Sequence, residues 1–451
     1  MKNFNSEIYN VLNSVIGFIQ SKTDKLRQSS LLLSNIDIFI LLSILATFVV
    51  SLFAKTEIIG AVSFFVPALV VLKVLITKGE KIELERCNFY LLAYLIICLI
   101  SNFTSSMLSQ SLYGYMKTLI YFAFYFALCQ FLKTNKKFIF VLLIAISVLV
   151  GFEAVIGIMQ DMLGLEVAAS WQDLSYVNPE DVLSRVYGTL KPYNPNLYAA
   201  YMIAGISSFI GLALIFIHRK SYKLAILSVL LFAISAFAIF ISGCRGAYIA
   251  LFVMILGLLA ASFQYVFFDL KDNRLMKWWK YIVSAFVAFS AAFILLNHGI
   301  LQRILSIFIL REDSSTSFRM NVYNSAFQIL HDNFLCGIGV GNKVFREIYG
   351  LYMLSGFDAL SCYSVFLEIA VESGIFALIA YLLFLLSLIK DSIVKFVSTK
   401  DFVLKVLIFT TCISVVAVMI HGFVDTVYFR PQVQYIFWTM AAILTVVLKD
   451  D

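Results

Sequence analysis

Apolar runs of about twenty residues recur along this chain, at about 36–54, 57–77, 88–106, 115–132, 138–159, 196–217, 222–241, 247–268, 280–297, 362–389, 402–420 and 432–448. One helix needs about 20 mostly apolar residues to cross a bilayer. In hydrocarbon, only a helix or a closed barrel satisfies its own backbone N–H and C=O groups. The pattern predicts an all-α polytopic membrane protein with about twelve transmembrane helices. Composition agrees: the chain is 61% apolar and 14% charged. Soluble domains run at about 45–50% and 25%. A disordered chain, a secreted disulfide scaffold and an ordinary soluble enzyme are excluded.

The formal charge is +7, yet no nucleic-acid partner follows, because the basic residues sit in short loops between apolar runs. If the N-terminus is cytoplasmic, the cytoplasmic loops carry Lys78, Lys81, Arg86, Lys133, Lys136, Lys137, Arg219, Lys220, Lys223, Lys271, Arg274, Lys277, Lys280, Lys390, Lys395 and Lys400. The outer loop at about 102–114 has no basic residue. This positive-inside pattern places both termini in the cytoplasm. The first 30 residues lack the apolar core and cleavage site of a secretion signal. Ile8, Val11, Leu12, Val15, Ile16 and Ile19 recur at helical spacing. They fit an amphipathic helix on the membrane surface as well as a loosely ordered tail. The expected organisation is a cytoplasmic segment 1–35, transmembrane helices over 36–160, an outer loop 161–195, helices over 196–297, a large outer loop 298–361 and C-terminal helices over 362–451.

The two sides differ in the kind of basic residue. Lys dominates inside, whereas the outer side carries Arg185, Arg245, Arg303, Arg311, Arg319, Arg346 and Arg430. Topology alone does not choose Arg over Lys. A guanidinium fork binds phosphate at two points, and an ammonium acts as a point charge. The pattern suggests a phosphorylated substrate met from outside; interfacial anchoring and loop ion pairs are the bland alternative.

Inside the 298–361 loop, Ser314, Ser315 or Ser317 can cap a helix near 318–331, with Phe318, Val322, Ala326 and Ile329 along one side. GIGVGN follows. Its Gly337, Gly339 and Gly341 resemble a nucleotide loop only superficially, since no strand precedes them; a tight turn packed on the membrane domain is expected. The cysteines show no zinc spacing, and a Cys336–Cys362 bridge stays open.

The outer segments resemble the O-antigen ligase/polymerase family, and within it the cyanobacterial branch often labelled bicarbonate (inorganic carbon) transporter. The resemblance lies in RVYGTLKPYNPNLYAAYM (185–202), SGCRGAYIAL (242–251), the run from REDSSTSFRMNVYNSAFQIL through GIGVGNKVFREIYGLY to ALSCYSVFLEIAVESG (311–374), and HGFVDTVYFRP (421–431). It implies a GT-C-type membrane glycosyltransferase in the plasma membrane that needs no metal or cofactor. The donor would be an undecaprenyl-diphosphate-linked glycan and the acceptor lipid A-core, another glycan or a protein. Arg245 matches the Arg of the family's SxSRxA turn, and Arg319 the Arg of its large loop. The family's His, in HNxxL, is replaced by Tyr363 in Tyr363-Ser364, as in the transporter-labelled branch.

On this reading Arg245 and Arg319 clamp a diphosphate, with Arg185 and Lys191 in reach of an anionic lipid head. Snorkelling for Arg245, and an ion pair with Glu312 or Asp313 for Arg319, are the alternatives. Asn194-Pro195 reads first as a helix start. His421 and Asp425 are four apart and expected on one helix face; His421 is a candidate replacement base. Glu368 and Glu372 are expected two and three turns inside a span, and Glu153 inside another. Intramembrane carboxylates are functional candidates by default. Tyr363, Glu368 and His421 are therefore the catalytic candidates. Anion transport is the second functional class, with carboxylates coupling an ion. Against it, the polar residues gather at the outer side and no internal repeat is visible.

Overall fold

A computed structural model describes residues 2–165, 185–296, 315–354 and 358–449. The protein is an all-helical polytopic membrane protein. Ten of the described helices are long and apolar enough to cross a membrane. They are α2 (Ile36–Phe53), α3 (Thr56–Ile76), α4 (Arg86–Thr104), α5 (Leu108–Thr134), α6 (Lys137–Met162), α7 (Pro195–His218), α8 (Tyr222–Ile241), α9 (Arg245–Leu270), α13 (Val365–Ser398) and α14 (Phe402–His421). The other described helices of eight or more residues are α1 (Lys2–Ser29), α10 (Asn273–Leu296), α11 (Ser315–Asp332), α12 (Asn342–Tyr349) and α15 (Pro431–Val447). Every described part of the twelve predicted apolar runs falls mainly on one of these helices. α15 has only 17 residues, and every one of them is buried, so its apolarity reflects a protein core rather than lipid contact.

Centrally placed α7 and α15 explain the composition. Tyr198, Tyr201, Tyr435, Phe437 and Trp438 are buried among α5, α6, α13 and α14. Peripheral helices instead leave one apolar face outward, as with Phe64 and Phe65 on α3 or Leu227 and Leu230 on α8. In water such faces would be a liability; in hydrocarbon they are the expected surface.

The two ends of the bundle differ chemically. At the lysine end, Lys73 on α3 meets Asp37 at 2.8 Å and Glu80 at 3.5 Å. Lys449 meets Glu85 there as well. α1 docks at this end. Gln20 donates to the carbonyls of Val74 and Glu80, and Thr23 to that of Leu75. Val15 and Phe18 stay exposed, and Ile16 turns inward. The N-terminal segment is thus helical over Lys2–Ser29.

At the opposite end, α11 and α12 form a cap over the bundle. Val322, Ala326 and Ile329 of α11 pack with Val344, Phe345 and Tyr349 of α12, which is the stripe expected from sequence. α12 was not foreseen. The GIGVGN turn is pinned to a break in α13 at Gly374 (φ 80°, ψ 172°). The break frees carbonyls that a continuous helix would use. Ile338 N–H donates to Val371 O, Gly339 N–H to Glu372 O, and Ser101 Oγ also reaches Glu372 O. In return Ile375 N–H finds Phe334 O. Every partner comes from the chain itself.

A side chain at 374 has no room: its Cβ would lie 2.1 Å from Leu335 O. Gly374→Ala is expected to destabilise the protein by about 2–4 kcal/mol, from left-handed strain plus the clash. A detergent-solubilised thermal melt checks it; an unchanged midpoint would show that the break is not needed. Arg303, Arg311, Glu312, Asp313 and Ser314 lie outside the described residues. The seven cysteines are free, Cys336 and Cys362 included.

Candidate functional site

The end opposite the lysines gathers side chains from every segment that sequence singled out. Arg185 comes from the stretch before α7. Its Nε donates to Ser242 O at 3.0 Å, in the turn between α8 and α9. Its Nη2 donates to Asn196 Oδ1 at 2.7 Å. Asn196 in turn donates from Nδ2 to Asp425 Oδ2 at 2.8 Å. The same carboxylate oxygen lies 3.6 Å from Nη2 of Arg319. A continuous chain of polar contacts therefore runs Arg319–Asp425–Asn196–Arg185–Ser242. Arg245 opens α9 three residues after Ser242.

Local sequence explains each position. Asn194 caps α7, accepting from the backbone N–H groups of Asn196 and Leu197, with Pro195 at the first helical position. That is the structural role expected, and it leaves Asn196 at the helix mouth with its amide facing two charged groups. The Ser242–Gly243–Cys244 turn needs its glycine. Gly243 has φ 68°, and a Cβ there would lie 3.0 Å from Arg185 Nε. The turn and Arg185 are thus fitted to each other.

His421 departs from expectation. α14 ends at His421 and Gly422 caps it, so His421 and Asp425 do not share a helix face. The chain turns back instead, and Asp425 Oδ1 accepts from Val427 N–H at 3.1 Å. His421 Nε2 faces Cys244 Sγ at 3.3 Å, with the two residues 2% and 4% exposed. The imidazole thus meets a thiol from the SGCRG turn, one residue before Arg245. A thiol there shows in the sequence only as a cysteine beside an arginine.

Glu368 also differs. α13 begins at Val365, so Glu368 lies in the first turn rather than two turns in. Its Oε2 accepts from Cys362 N–H at 3.2 Å, which holds the backbone just before Tyr363. Glu372 lies one turn further on, at the α13 break. Glu153 is a buried acceptor for the backbone N–H and hydroxyl of Thr189.

Tyr363 has φ 50°, an outlier for a bulky residue that costs on the order of 1–3 kcal/mol. Several contacts hold it there. Tyr323 Oη donates to its carbonyl at 3.1 Å, and Val365 N–H binds Gly422 O at 2.8 Å. The ring carries the Arg319 guanidinium 5.6 Å from its centroid and the edge of Phe318 at 5.9 Å. Burial, with Asp425 adding to it, pushes the Tyr363 phenol above its ordinary value against the opposing pull of Arg319.

The structure therefore brings together Arg185, Arg319, Tyr363 and Asp425, with Arg245 and His421 in the adjoining turns. Lys191 stands apart from this chain of contacts. It lines an open cavity of about 640 Å³ with Phe53, Gln160, Tyr187, Gly188, Thr189 and Tyr193. The partner of Arg319 is Asp425; Glu312 and Asp313 lie outside the described residues. Asn196 and Cys244 were missed as site residues, because each is neutral and fits its local turn without reference to the site. Among the described residues no cluster of three or more His, Cys, Asp or Glu could hold a metal.

Residues 230–382 match the family model described as O-Antigen ligase. The matched stretch contains Cys244, Arg245, Arg319, Tyr363 and Glu368. Arg185, Asn196, His421 and Asp425 fall outside it and reach the site only through the fold. No curated protein matches the chain.

Proposed function

We propose that this protein is an O-antigen ligase-like membrane glycosyltransferase. It moves a glycan from an undecaprenyl-diphosphate donor to a lipid A-core, glycan or protein acceptor at the outer face of the plasma membrane. The carrying observation is the convergence of Arg185, Arg319 and the Arg245 turn on one end of the bundle, around a single carboxylate, Asp425. The family match over 230–382 supports the same class.

In the transfer, an acceptor hydroxyl attacks the anomeric carbon of the lipid-linked sugar. The bond from that carbon to the diphosphate oxygen breaks, and the lipid diphosphate leaves with the electron pair. The largest catalytic effect to expect is fixed positive charge where the leaving diphosphate gains negative charge. Arg319 and Arg245 supply it, and Arg185 adds a third guanidinium. Asp425 keeps Arg319 oriented before substrate arrives. The hydroxyl proton passes to His421, whose ring Cys244 orients. Glu368 positions the Cys362–Tyr363 turn. Tyr363 offers Arg319 a ring face.

A phenol held above its ordinary value is a poor base at neutral pH. Tyr363→Phe keeps the ring under Arg319 and is expected to retain transfer to within about threefold, since the face and not the hydroxyl carries the cation. Initial rates with a polyprenyl-linked donor check it; a dead variant would make the hydroxyl the proton acceptor.

The lysine end faces the cytoplasm on this reading, with both termini, and the α11–α12 cap faces outward. A phosphatase fused at residue 340 should be active and a fluorescent protein there dark. The opposite result would invert the protein and remove the outer-face donor. Anion transport is the weaker reading. The convergent arginines lie at one end, whereas transporters hold substrate near the midplane. The freed carbonyls of the α13 break are occupied by the GIGVGN amides. Deletion, followed by gels of surface polysaccharide and glycoprotein alongside inorganic-carbon uptake, tests both. Shortened or missing glycans with normal uptake are expected; the reverse would assign transport.

A further inference from the structure

The cavity around Lys191 is not used by the diphosphate network, yet it is built on the same strand of chain. Tyr187 is two residues beyond Arg185, so their Cα atoms are at most about 7 Å apart. Its wall is rigid. Gln160 Oε1 accepts from the N–H groups of Tyr187 and Gly188, and its Nε2 returns a bond to Gly188 O. Glu153 holds Thr189, and Gln432 Nε2 holds Lys191 O at 3.1 Å. The polar groups of Gln160 are therefore spent on the wall itself.

What faces the opening is aromatic. Tyr193 has φ 64° and sits edge-on to Tyr187, with centroids 5.6 Å apart. Tyr193 and Phe53 are each 48% exposed. Lys191 is exposed beside them and has no ion pair among the described residues. The volume of about 640 Å³ falls in the ordinary range of ligand sites, about 300–1,000 Å³.

We propose that this cavity is the subsite for the acceptor saccharide, with Tyr193 and Tyr187 stacking on sugar rings and Lys191 taking a carboxylate or phosphate substituent. The assignment rests on the glycosyl-transfer reading above. A sugar ring has one apolar C–H face and a rim of hydroxyls. Exposed phenol rings offer a flat apolar face with a polar tip, which matches it. An acyl chain would use the rings but leave the ammonium and the phenol hydroxyls without partners. The preformed wall lowers the ordering cost of binding. Placement beside Arg185 sets an acceptor hydroxyl next to the diphosphate network, where attack must occur.

The test uses the full-length protein in detergent and the oligosaccharide pool released by mild acid from the host's own envelope. Bound sugars are read by saturation-transfer NMR, and transfer is measured separately with a polyprenyl-diphosphate-linked donor. Wild type is expected to bind the pool. Tyr193→Ala and Lys191→Ala should each weaken binding, and raise the acceptor KM, on the order of tenfold, while the donor KM stays put. Tyr193→Phe should resemble wild type, because the stacking face survives. Both residues are exposed, so folding is not at stake. Saccharide binding lost in Tyr193→Ala, in a protein that transfers nothing, would support the subsite while removing the catalytic reading. Normal transfer with an unchanged acceptor KM in both Ala variants would overturn the subsite and leave the catalytic reading intact. A rise in donor KM alone would return Lys191 to the diphosphate.

Discussion

Arg319→Lys is expected to lower glycan transfer by about 10²–10³-fold although the charge is kept, the loss typical of removing one preorganised donor from a transition-state site. The side chain now does three things at once. Its Nη2 lies 3.6 Å from Asp425, the guanidinium carbon lies 5.6 Å from the centroid of the Tyr363 ring, and in the proposed transfer its other N–H groups bind a phosphate. An ammonium can satisfy Asp425 or a phosphate, but it has no plane to lay on the ring and no fork to bridge two oxygens. Arg245→Lys should fall by a similar factor, since its turn is set by Gly243 packing on Arg185. Initial rates at matched expression check both. Full complementation of a deletion by either Lys variant would show that the site needs charge alone.

The second large effect is expected at His421. His421→Ala should cost about 10²–10⁴-fold, the usual range for losing a positioned acid or base. Cys244→Ser keeps a small donor and acceptor beside Nε2 and should cost far less than His421→Ala. Glu368 offers the contrast. Glu368→Gln retains an oxygen for the Cys362 N–H and should keep most activity, whereas Glu368→Ala removes it and should loosen the turn carrying Tyr363. A Glu368→Gln variant as inactive as His421→Ala would move the proton chemistry to the carboxylate and refute the positioning role. Single-turnover rates separate these cases from changes in donor binding.

Much of the architecture is a one-dimensional property. Each apolar run of about twenty residues must become a helix in hydrocarbon whatever its neighbours do, so α2 through α9 could be placed from sequence alone. The same holds for the cap on α7, where Asn194 and Pro195 act on the next few backbone groups, and for α11, whose apolar stripe repeats at helical spacing. The lysine and arginine ends were legible because charge composition alternates with each crossing. The eight-residue helix α12 was not, being too short to show a period.

The site itself was decided by tertiary structure. Arg185, Arg245 and Arg319 could be named singly, but nothing near Arg319 in sequence announces Asp425, and nothing near His421 announces Cys244. Those pairs form because α7, the α8–α9 turn, α11 and the end of α14 converge in space, and side-chain hydrogen bonds reach only about 3 Å. The helix face expected to join His421 to Asp425 failed for a local reason. Gly422 ended α14, and the chain reversed to give Asp425 to Val427 and Arg319. The break at Gly374 follows the same logic. A glycine within an apolar run is compatible with an unbroken helix; it becomes a break here because the GIGVGN amides take the freed carbonyls of Val371 and Glu372. Helices are specified by bonds a few residues apart along the chain, and the site by bonds between segments that only packing brings within reach.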